Sequence, residues 1–243
     1  MDLCFFIPCM ELTYNQAKDE LLALAQPRRA ELVARFFKAV PGQYGEGDRF
    51  LGLTMPQQRQ ITKQYQDLPL DETEQLVQDA YHECRMTGLL IWVDQTRKAN
   101  VVERDAILER YLANRQYINN WDLVDVTCPH IIGRHISQSD HALLYDLVRE
   151  ENIWSQRMAI ISTFALIRQG LFSDTFALAE ILLTHKHDLI HKAIGWMLRE
   201  VGKRNTDALE EFLHDHVRQM PRTALRYAIE RFAPSQRAYY LNL

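Results

Sequence analysis

The 243-residue sequence predicts an all-α chain of tandem antiparallel helix pairs, and three observations carry that expectation. Apolar residues recur at the helical period, alternating β-type runs are lacking, and short segments repeat every 31–34 residues. Glu31–Val40 places Leu32, Val33, Phe36, Phe37 and Val40 on one stripe. Pro41–Gly52 (PGQYGEGDRFLG) holds too many glycines for a regular element and reads as a structured loop between helices. Met158–Ile167 reads as a further helix with Met158, Ile161 and Ala165 along one line. Helix starts are marked by Asn120 before Trp121, Ser173 before Asp174, and Asn205/Thr206 before Asp207.

The self-similarity refines this class. Arg157–Ile161 aligns with His191–Gly195, Lys192–Arg199 (KAIGWMLR) with Thr223–Glu230 (TALRYAIE), and Arg85-Met86 echoes Arg157-Met158. In an all-helical chain this period means helix pairs stacked as a solenoid of the HEAT or armadillo type, with inner helices lining a concave groove. Residues 1–13 read as an N-terminal extension without an assigned role, and 14–243 as a single repeat domain.

Composition bounds the function. A hydrophobic fraction of 47% and a charged fraction of 25% are ordinary for a soluble globular protein. The net charge of −4 gives no global sign of a polyanion ligand, so any such ligand needs a local basic surface. Residues 1–109 carry 12 Lys/Arg against 17 Asp/Glu, residues 110–243 carry 16 against 15, and eight of nine histidines fall in the second part. The four cysteines (Cys4, Cys9, Cys84, Cys128) form no CxxC pair, which argues against a disulfide or zinc framework. The apolar opening Leu3–Ile7 follows an acidic residue and stops at Pro8, unlike a signal peptide, and no stretch approaches a membrane span. The expectation is a cytoplasmic monomer without metal, cofactor or membrane partner.

Two segments carry candidate chemistry. If Asn120 caps a helix, Trp121 and Asp125 share a face at i and i+4, with Leu123 and Val124 toward the core. An indole beside a carboxylate can hold a cation between a π face and a negative charge; a core Trp with a solvated Asp is the plainer alternative. Around Trp196, Lys192, Arg199 and Lys203 fall at i−4, i+3 and i+7. Such a face suits a phosphate backbone beside a base or sugar, or else a half-buried Trp whose rim is covered by aliphatic stems. Arg157 lies one repeat earlier, and Arg222 and Arg226 one repeat later. His185, His187 and His191 have metal-like spacing but no carboxylate or Cys to complete a set.

Taken together, PGQYGEGDRFLG (Pro41–Gly52), INNWDLVD (Ile118–Asp125), WSQRMAI (Trp154–Ile160), HKAIGWMLRE (His191–Glu200) and MPRTALRYAIERF (Met220–Phe232) resemble the AlkD-type DNA alkylation-repair glycosylases, over about residues 14–241. The resemblance implies a right-handed HEAT-like solenoid with a concave DNA-binding groove. It implies hydrolysis of the N-glycosidic bond of cationic N3- or N7-alkylated purines in duplex DNA, without lyase activity and without enclosing the base. On this resemblance Asp125, Trp121 and Trp196 are catalytic, and Arg157 contacts the DNA backbone or the lesion. Lys192, Arg199, Lys203 and Arg226 would join Arg157 in meeting DNA. Two other readings stay open: a non-catalytic helical module that binds DNA structure, and a protein-binding scaffold.

Overall fold

The computed structural model describes residues 11–243. Most of the 1–13 extension, with Cys4 and Cys9, therefore lies outside the described residues. Among these the fold is all helical, its one β-type pairing being an isolated bridge between Arg49 and Tyr81. The chain forms two compact units, the first ending at Lys98 and the second running Ala99–Leu243.

The first unit contains α1 (Tyr14–Ala23), α2 (Pro27–Phe36), α3 (Met55–Gln64), α4 (Leu70–Val77) and α5 (His82–Lys98). Capping boxes start α1 (Thr13 with Gln16) and α3 (Thr54 with Gln57), while Pro27 supplies the preset φ at the head of α2. Leu21, Leu51, Leu53, Ile61, Leu76 and Ile91 meet in its core. The glycine-rich segment is the structured loop the sequence predicts, with Gly42, Gly47 and Gly52 at positive φ. Buried Glu83 holds its exit, accepting hydrogen bonds from the amides of Leu51 (2.9 Å), Gly52 (2.8 Å) and Leu53 (3.2 Å). Asp48 is clamped inside by Arg85 (2.5 Å) and by His82 Nδ1 (3.0 Å).

Helix α2 differs from its neighbours because none of its residues is buried. The expected stripe is split: Leu32 is 66% exposed and Phe36 65%, while Val33 and Phe37 are half-buried and Phe37 stacks on Phe50. The helix closes in a Schellman turn, with Lys38 N donating to Arg35 O (3.2 Å) and Ala39 N to Ala34 O (2.9 Å). Lys38 occupies the left-handed position of that turn at φ 58°. A side chain there costs about 1–2 kcal/mol relative to the glycine usually found.

The second unit contains α6 (Val101–Ala113), a 3-10 turn (Arg115–Tyr117), α7 (Trp121–Ile136), α8 (Ala142–Arg149), α9 (Ile153–Ser162), α10 (Phe164–Ile167), α11 (Ser173–Leu182), α12 (Asp188–Gly202), α13 (Thr206–His216), α14 (Arg222–Ala228) and α15 (Pro234–Leu241). The single helix expected over Met158–Ile167 is broken at Thr163, whose hydroxyl bonds to the Ile160 carbonyl (2.7 Å). Ser173 is the first residue of α11 rather than its cap.

Helices α7, α9, α12 and α14 pack in succession, each against the next. A second row, α8 and α11, lies against α9 and α12, and α13 joins α11 through stacked Phe176 and Phe212. This two-row arrangement is the HEAT-like helical array that the repeat implied. Small residues allow the close approaches. A Cβ on Gly133 would meet the Ala165 side chain at 2.9 Å, and one on Gly195 would meet the Tyr227 Cβ at 2.5 Å.

Candidate active site

Asn120 starts α7, its side chain accepting from the Trp121 amide (2.9 Å). Leu123 and Val124 are fully buried, which fixes the rotation of the helix. Trp121 and Asp125, one turn apart, stay half-buried on another side of it. Pro129 lies inside α7, four residues after Asp125. With no N–H to donate, it leaves the Asp125 carbonyl without its helical partner and disfavours a straight helix there.

The Asp125 carboxylate meets Arg157 of α9 as a two-pronged ion pair. Arg157 Nε donates to Oδ1 at 2.8 Å and Nη2 to Oδ2 at 2.7 Å. The side chains are 12% and 5% exposed. Burial pushes the Asp125 pKa up and the nearby Asp122 adds to that, while Arg157 opposes both; the balance remains above the ordinary carboxylate value. The two prongs occupy one lone-pair direction on each oxygen, and the others remain for a water or a cationic group.

The third Arg157 donor, Nη1, bonds to the Leu189 carbonyl in the first turn of α12. That turn is itself held by His187, whose Nδ1 accepts from the Leu189 amide at 3.2 Å. One guanidinium thus ties α7, α9 and α12 together. Trp196 lies two turns along α12, half-buried, with the Glu200 carboxylate one turn further along the same helix. Burial alone would raise the Glu200 pKa, but Lys203 foremost, and Arg204 with it, hold it below the usual value. Glu200 itself is buried and takes Lys203 at 2.5 Å and Arg204 at 3.4 Å.

The expected DNA-facing cations divide. The Arg157 guanidinium is buried, resting on Asp125 and the Leu189 carbonyl. Lys192 pairs with Asp188 (2.8 Å), Arg199 with Glu230 in the turn after α14, and Lys203 with Glu200. The Lys192–Asp188 pair, within one helix and open to solvent, is worth only about 0.2–1 kcal/mol, so a phosphate can displace Lys192 from its partner at small cost. Arg226 is exposed. Arg222 donates to the Leu241 carbonyl (2.7 Å).

Among the described residues no group of His, Cys, Asp or Glu is arranged to hold a metal. His185 Nδ1 accepts from the His187 amide at 3.0 Å, and His191 bonds to the His185 carbonyl. No helix among the described residues is long and apolar enough to cross a membrane.

Sequence reasoning missed Glu200 and the Leu189 carbonyl. Glu200 had a signal, four residues after Trp196 and three before Lys203. The carbonyl had none, since no side chain marks it.

A paired-helix array that presents an arginine-held carboxylate one turn from one indole, and tied to the helix of another, defines a class of helical-repeat proteins. The match to the family model described as DNA alkylation repair enzyme, over residues 17–232, places the chain more closely. The chain belongs to the DNA alkylation repair enzyme family. Among solved structures, one described as a predicted DNA alkylation repair enzyme from Enterococcus faecalis shares the fold, with TM-score 0.68 and 20% identity over 86% of this chain and 97% of that one. No curated protein matches the chain.

Proposed function

We propose that this protein is a DNA glycosylase that releases N3- and N7-alkylated purines from duplex DNA by hydrolysis. The observation that carries the reading is the Asp125 carboxylate, kept ionisable inside the fold by Arg157 and one helical turn from Trp121. An alkylated purine already bears positive charge and leaves as a neutral base, so its departure needs no general acid. What remains is a deoxyribose with oxocarbenium character and a water to attack it. Asp125 opposes the developing charge and orients the water through the lone pairs that Arg157 leaves open. Trp121 and Trp196 offer π faces to the cationic sugar and base, at about 0.5–2 kcal/mol each. Glu200 and Arg157 act through others: Glu200 sets the Trp196 indole, and Arg157 sets Asp125.

Lys192, Arg199 and Lys203 would exchange their present partners for phosphates, and the exposed Arg226 would join them. Lys192, the amine one turn from Trp196 on α12, is ion-paired and partly exposed rather than buried in an apolar pocket, which argues against a Schiff-base step and lyase activity. The test is incubation of the protein with duplex DNA bearing 7-methylguanine or 3-methyladenine. Release of the free base with the strand left intact supports the reading. Salt-sensitive binding without base release would make the protein a DNA-structure binder instead.

A further inference from the structure

Helix α2 presents a surface that the candidate active site does not use. At 100° per residue, Arg28, Arg29, Leu32, Arg35 and Phe36 fall within an arc of roughly 120°. Leu32 and Phe36 lie in the middle, with Arg28 and Arg35 on one flank and Arg29 on the other. All five are exposed. Glu31 stands to the side of this arc, and Lys38 extends the charge beyond the helix end at its left-handed position. Residues 27–40 thus carry Arg28, Arg29, Arg35 and Lys38 against Glu31 alone, within a segment (1–109) where acids outnumber bases 17 to 12. None of the four cations is paired with a carboxylate among the described residues.

We propose that α2 is a second duplex-DNA contact, its arginines and Lys38 on phosphates and Leu32 and Phe36 against the sugars of the groove between them. Charge complementarity selects the occupant. A protein surface of mixed charge does not need four unpaired cations around two apolar side chains, and a second copy of this chain would set arginine against arginine. Backbone phosphates flanking an apolar groove wall match both features. Lys38 adds to the case, because glycine would fit its backbone better and yet the position carries a charge.

The inference rests on the DNA-repair reading, and the experiment separates the two. Affinity of the full chain for an unmodified duplex is measured from 50 to 200 mM salt, for the wild type, Arg28→Gln/Arg29→Gln/Arg35→Gln, and Lys38→Gly. Each phosphate contact removed should lower the slope of log K against log salt by about 0.9. The triple variant should therefore lose about 2–3 from the slope and at least about tenfold in affinity. Lys38→Gly should lose about 0.9 from the slope while its melting temperature stays level or rises, so the loss cannot come from misfolding. A wild type that binds DNA steeply with salt, alongside variants whose slope and affinity are unchanged, overturns this inference and leaves the active-site reading intact. Wild type that binds no duplex overturns both. Salt-sensitive α2-dependent capture on phosphatidylserine vesicles with no change on DNA, or a dimer that the triple variant dissolves, also overturns it.

Discussion

Removing Arg157 separates a clamp from a phosphate contact. Arg157→Met keeps the aliphatic volume but deletes two charge-assisted hydrogen bonds to Asp125 and one to the Leu189 carbonyl. Breaking a buried ion pair from one side costs about 3–5 kcal/mol, since the surviving carboxylate is left buried and uncompensated. Its pKa, already raised by burial against the pull of Arg157, must then rise further. A carboxyl whose folded pKa lies above its unfolded value destabilises the fold above the folded pKa, and this penalty is relieved as pH falls through it. The deficit of the variant should thus be largest near pH 8 and shrink toward pH 5, leaving about 1 kcal/mol for the lost Leu189 bond. At a urea slope of about 2 kcal/mol/M, the midpoint should drop by roughly 1.5–2.5 M at pH 8 and clearly less at pH 5. A drop under about 0.3 M at pH 8, or one equal at both pH values, would refute the clamp. Arg157 would then be available for DNA.

Three further outcomes follow from the same geometry. Glu200→Ala removes the carboxylate one turn from Trp196 and the partner of Lys203, and should lower single-turnover base release by about tenfold with a shift in tryptophan emission, and Glu200→Gln, which retains an acceptor, should restore part of both. Gly195→Ala drives a methyl into Tyr227 and the α14 backbone and should cost about 1–3 kcal/mol, read as a lower melting temperature. Arg226→Ala should weaken binding to all duplex sequences alike and lower the salt slope by about 0.9.

Much of this architecture was legible in the residues. The Trp121–Asp125 adjacency follows from helical spacing once Asn120 is read as a cap, and the glycines of Pro41–Gly52 mark the turns where positive φ occurs. The echo of Arg85-Met86 in Arg157-Met158 had a structural meaning: each arginine clamps a buried aspartate, Asp48 and Asp125. The partners themselves were not legible. A repeat period says which helices are neighbours, but not which side chains meet across 32 residues, so the Arg157–Asp125 ion pair could not be read from it. Periodicity also shows that α2 has an apolar stripe without saying what covers it. Thr163 breaks a helix whose pattern runs on, because its hydroxyl competes locally for the Ile160 carbonyl.

The central claim is that the charge of Asp125 drives base release. Single-turnover excision of 7-methylguanine from duplex DNA, compared between the wild type and Asp125→Asn, tests it most directly. Asn keeps the shape and an acceptor for Arg157 while removing the charge. The account predicts a fall of roughly 10²-fold or more, equivalent to about 2.7 kcal/mol of transition-state stabilisation, with duplex affinity undiminished. It also predicts that wild-type excision is lost on the acid side, as pH falls through the raised Asp125 pKa. Excision by a folded Asp125→Asn protein at the wild-type rate would contradict the account and leave the carboxylate as an internal ion pair only.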